Sequence, residues 1–105
     1  MYLKLGGKLE IGDPILVSYS HGFIFGLFAG NGIGTIQFYT IDYIIYHYED
    51  AIEKEKKPKF WKNYVHGNAL EYRVAKVTKD VLYNDEDIEK YERAIEILKL
   101  ENIIK

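Results

Sequence analysis

Between residues 13 and 40 apolar side chains recur at every second position, and from residue 85 onward they recur at every third or fourth. The first spacing is that of a strand and the second that of an amphipathic helix. Asp13-Pro14-Ile15-Leu16-Val17-Ser18-Tyr19-Ser20 reads as a strand, with Pro14 at the first position, where a missing N–H is tolerated. Ile15, Val17 and Tyr19 share one face. His21-Gly22 predicts a tight turn. In the next run Phe23, Phe25, Leu27 and Ala29 alternate with Ile24, Gly26, Phe28 and Gly30, so both sides of this second strand are apolar. Asn31-Gly32 predicts the following hairpin turn, and Thr35-Ile36-Gln37-Phe38-Tyr39-Thr40 a third strand. The three form a meander over residues 13–40.

Residues 42–57 carry two patterns. Ile41, Ile45, Tyr48 and Ile52 fit helical spacing, and Asp50/Lys54 and Glu53/Lys57 are favourable i,i+4 pairs, whereas Ile44-Ile45-Tyr46-His47-Tyr48 has strand composition. The balance predicts a helix from Asp42 to Lys57 ended by Pro58. An aromatic-anchored loop over 58–68 and a strand over 70–78, closing the sheet, come next. Asn84 is a candidate N-cap for a helix over 85–100, and Asp85, Glu86 and Asp87 suit the positive end of its dipole. Ile88, Tyr91, Ile95 and Leu98 form its apolar stripe, which must pack on the sheet. The expectation is a single α+β domain. It is a small bent antiparallel sheet or an SH3-like barrel, with a C-terminal helix packed on it and a second helix around 42–57.

Composition narrows the classes. The 105 residues are 48% hydrophobic and 15% aromatic, too apolar for a disordered chain. No run approaches the length of a membrane span, and Met1-Tyr2-Leu3-Lys4-Leu5-Gly6 lacks the apolar core of a secretory signal. A soluble, cytoplasmic protein is expected. The absence of cysteine removes disulfides, thiolate metal sites and a thiol nucleophile. Twelve lysines against two arginines, with isoleucine the commonest residue, reflect AT-rich codons and a low-GC genome. The net charge of −2 hides a basic middle: residues 51–79 hold eight cations against three acids. That distribution argues against coating of duplex DNA and leaves room for a local basic patch.

Gly12-Asp13-Pro14-Ile15-Leu16-Val17, with Phe25-Gly26-Leu27-Phe28-Ala29-Gly30 and Gly34-Thr35-Ile36-Gln37-Phe38-Tyr39, resembles the barrel openings of small phage and mobile-element proteins. The resemblance covers about the first forty residues and rests on turn chemistry. It implies a barrel and a mobile-element origin. An inhibitor of host defence follows from it, acting by blocking a protein surface or by sequestering a small nucleotide between subunits.

Catalytic constellations are missing. Gly30-Asn31-Gly32-Ile33-Gly34 has Thr35 where a dinucleotide fingerprint needs its third glycine, and a strand follows instead of a helix. His21, His47 and His66 stand some twenty positions apart with no close pair, so no metal site or cofactor is expected. Ser18 and Ser20 lack the elbow that exposes a nucleophile. What remains is a surplus of tyrosine, ten in all. Tyr39, Tyr43, Tyr46, Tyr48, Trp61 and Tyr64 are candidates for a partner-binding patch, since Tyr and Trp concentrate at hot spots. The favoured reading is a non-enzymatic binding module acting through contacts with a host or phage protein, or through self-association. The alternative is a nucleic-acid binder in which Lys56, Lys57, Lys59 and Lys62 hold phosphates while Trp61 stacks on bases.

Overall fold

The computed structural model describes residues 9–19, 21–66, 73–77 and 84–104. Strands β1 (Pro14–Tyr19), β2 (Gly22–Gly32) and β3 (Thr35–Thr40) are followed by helix α1 (Ile41–Glu53), strands β4 (Asn63–His66) and β5 (Arg73–Lys76), and helix α2 (Asp85–Leu100). The five strands are antiparallel in the order β4-β3-β2-β1-β5. The fold is α+β. The sheet is small, bent and open: β5 joins the edge beside β1 and β4 the edge beside β3, so among the described strands no pairing closes a barrel.

The meander forms as its alternation predicts, with both faces of β2 buried. Leu27, Ala29 and Tyr39 pack with Ile41, Ile44, Ala94, Ile97 and Leu98 under the two helices. Ile15, Val17, Phe28, Phe38 and Val65 form a second buried cluster on the other face. Each fully buried Leu, Ile or Phe contributes about 1.5–3 kcal/mol, and together they dominate the folding energy. Between Phe28 and Gly30 the β2–β3 register shifts by one residue, and Gly30 adopts φ 127 there. This bulge bends β2.

The β2–β3 turn lies two residues beyond the expected Asn31-Gly32. Both of those residues pair with β3, as Asn31↔Ile36 and Gly32↔Thr35, and the loop is Ile33-Gly34. Gly34, at φ 67, supplies the positive angle at the second loop position, the requirement of a type II turn. The register Tyr19↔Gly22 likewise puts the first loop at positions 20 and 21, with Gly22 already in β2; residue 20 lies outside the described residues.

Helix α1 resolves the ambiguous segment, and it ends four residues before Lys57. Lys56 N donates to Ala51 O at 2.8 Å and Glu55 N to Ile52 O at 3.1 Å, with Glu55 left-handed at φ 56. This is a Schellman reversal, completed with glutamate where glycine is usual. The pair Asp50–Lys54 forms at 3.3 Å, but Lys57 falls beyond the helix and its spacing from Glu53 no longer applies. Part of the expected aromatic loop is strand β4, and positions 67 and 68 lie outside the described residues. So do 70–72 and 78 of the strand expected at 70–78.

Helix α2 matches its expected span. Asn84 caps it, Oδ1 accepting from Asp87 N at 2.9 Å. Its buried line is rotated from the expected stripe: Ala94, Ile97 and Leu98 are fully enclosed, while Tyr91 and Ile95 flank them half-buried. This buried line packs with Ile41 and Ile44 of α1 and with Leu27, Ala29 and Tyr39 of the sheet. Tyr91 Oη donates to Gly12 O at 3.1 Å, tying the helix to the turn before β1. Lys90 reaches Asp42 of α1 at 3.3 Å and Glu86 at 3.6 Å. The hydrogen bond it donates to Asp42, with the charges of both carboxylates, holds the Lys90 ammonium above its ordinary pKa.

Candidate binding groove

The reversal at Glu55 sends the chain back past the last turns of α1. Pro58 is half-buried and Phe60 packs against the core under the helices, which anchors the returning segment. A groove of about 270 Å³ opens between it and the helix. His47, Asp50 and Lys54 line it from α1, at positions on one helical face, and Lys56, Lys57, Lys59 and Trp61 line it from the returning chain.

Lys54 is engaged with Asp50. Lys56, Lys57 and Lys59 are exposed, and among the described residues none of them is ion-paired. Trp61 is 62% exposed beside them. Beyond the groove lining, the centroid of the His47 ring lies 3.9 Å from that of Tyr43, and His47 meets Tyr46 edge-on at 5.2 Å. The rings of His47 and Trp61 and the exposed ammonium groups therefore meet along one surface. Lys62 is exposed next to Trp61 but does not line the groove.

The six aromatics proposed as a partner-binding patch do not share one surface. Tyr39 is 5% exposed and sits in the core under α1 and α2, because its position opposite Leu27 in the β2–β3 register faces the helices. Burial raises its phenol above the ordinary pKa. Tyr48 packs against the same core, with Arg93 5.4 Å above its ring. Tyr43 is half-buried. Only Tyr46, Trp61 and Tyr64 of the six are largely exposed, at 64%, 62% and 65%. Phe60, beside Trp61 in the basic segment, is turned inward.

The sequence reading did not single out His47, Asp50 and Lys54 as site residues. Their common helical face was visible in their spacing, but the face becomes one wall of a groove only when the chain folds back on it. Among the described residues no group of three or more His, Asp or Glu side chains is placed to hold a metal ion, and no helix is long and apolar enough to cross a membrane. Comparison with protein-family models, curated proteins and solved structures gives no match for this chain.

Proposed function

We propose that this chain is a non-enzymatic binding module whose groove takes a phosphate-bearing nucleotide, free or within a single strand. The observation that carries this reading is the convergence of Lys56, Lys57, Lys59 and exposed Trp61 on one groove. Lysines act as point charges on phosphate oxygens. An exposed indole stacks on any base, with a contribution of about 1–3 kcal/mol. The groove is below the roughly 300–1,000 Å³ of enclosing small-molecule pockets, so the ligand lies across it rather than inside it.

Fluorescence anisotropy tests this with labelled single-stranded RNA and DNA, and with ATP and a cyclic dinucleotide as competitors. Three phosphate contacts give a salt slope of about −2 for a single strand, a loss of about twentyfold in affinity between about 50 and 200 mM salt. Trp61→Ala is expected to weaken binding about tenfold or more. Binding of nucleotides but not strands assigns a sequestering role, which suits the mobile-element resemblance. No binding to any probe at low salt, or binding indifferent to Lys56, Lys57 and Lys59→Gln, overturns the proposal.

The exposed rings of Tyr46, Trp61 and Tyr64 favour a second reading, contact with a host or phage protein. Such a contact is dominated by apolar burial and holds at high salt. A salt-stable complex lost in Trp61→Ala separates it from the first.

A further inference from the structure

We infer that the base taken by the groove beside α1 is guanine and that Asp50 selects it, an assignment that rests on the nucleotide reading of that groove. Among the described lining residues Asp50 is the single carboxylate, set against Lys56, Lys57 and Lys59 of the returning chain. Its side chain is 34% exposed, and Oδ1 stands 3.3 Å from Lys54 Nζ. An exposed i,i+4 pair of this kind is weak. Among the described residues Oδ2 has no partner. An ionised carboxylate offers about four lone-pair sites, so Asp50 keeps Lys54 and still accepts from a ligand.

Charge sets which part of a nucleotide lies on which wall. Asp50 stands in the last turn of α1, the negative end of the helix dipole, and that turn holds no basic residue. A phosphate is repelled there and goes to the lysines of the returning chain. The base, stacked on Trp61, then turns its hydrogen-bonding edge toward α1. Guanine presents N1–H and the N2 amino group as neighbouring donors in one plane, which match the two oxygens of a carboxylate in a charge-assisted pair. Adenine and cytosine set a ring-nitrogen acceptor beside their amino group. Uracil flanks its one N–H with two carbonyls. Each of these three brings a lone pair against Asp50, which can only accept.

Trp61 is the single tryptophan of the chain, so its fluorescence reports a ligand in the groove directly. The test is titration of the full chain with GTP, with ATP, and with ITP, which is GTP without the N2 amino group; circular dichroism confirms that each variant folds. GTP is expected to bind about tenfold more tightly than ATP or ITP, the scale of one bidentate base contact. Asp50→Asn puts a donor beside the acceptor and is expected to bring GTP and ATP within about threefold, with ATP still bound. Lys54→Gln removes the ion pair, keeps the carboxylate and is expected to retain the preference. GTP binding no tighter than ATP or ITP, a preference that survives Asp50→Asn, or one lost in Lys54→Gln overturns the guanine assignment and leaves the nucleotide reading standing. No change in Trp61 fluorescence with any of the three at low salt overturns both.

Discussion

Gly26 and Tyr39 are neighbours across the β2–β3 pairing, and each is constrained by what the other strand brings against it. A Cβ on Gly26 would stand 2.8 Å from the Tyr39 carbonyl oxygen and 2.9 Å from the Phe38 ring. Backbone cannot rotate away, so Gly26→Ala is expected to cost about 1–3 kcal/mol in a urea denaturation, outweighing the gain from a stiffer unfolded chain. In the sequence Gly26 is one member of the alternating run of β2; what it makes room for is a ring twelve positions later, which no local pattern reveals. Tyr39 gives a pH signature. Because burial raises its phenol, the folded state keeps the proton that the unfolded state releases above pH ~10. Its stabilising contribution is complete below that pH and is lost as pH rises through the folded value. The urea midpoint is expected to fall as the pH rises above about 10, and Tyr39→Phe to flatten that fall.

The two helices share a C-terminal device and differ in how visible their ends are. The start of α2 was legible because Asn84 and Asp87 are three residues apart and their bond is local. Both C-termini close in Schellman reversals, on Glu55 at φ 56 and on Asn102 at φ 60. Asparagine tolerates that conformation; glutamate pays about 1–2 kcal/mol to adopt it. Local rules look for glycine at such a point, and its absence at position 55 extended the expected helix to Pro58. The strain is held by tertiary contact, since the reversal is what lets Phe60 reach the core. Glu55→Gly is expected to raise stability by about 1 kcal/mol in equilibrium denaturation and leave the groove intact. A loss of stability would mean that the glutamate side chain itself contributes.

At the scale of the molecule, the meander, both helices and the α+β class were readable, because period and turn chemistry report local geometry. Strand order was not. Nothing near residues 63–66 or 73–76 states which edge each will join, and the open sheet follows from their going to opposite edges. The site divides the same way. The basic segment with Trp61 was visible as a run, and the aromatic surplus was visible as a count. That Tyr39 and Tyr48 turn inward while His47 turns toward the lysines depends on contacts between distant parts of the chain. The order in which those parts are made also matters. Ala94, Ile97 and Leu98 follow Ile44 by some fifty positions, yet they cover Leu27, Ala29 and Tyr39. On the ribosome α1 alone can therefore shelter that side of the sheet, and its cover stays incomplete until α2 clears the exit tunnel. A nascent chain stalled before that point is expected to be a chaperone client, and native burial is reached only when translation has supplied α2.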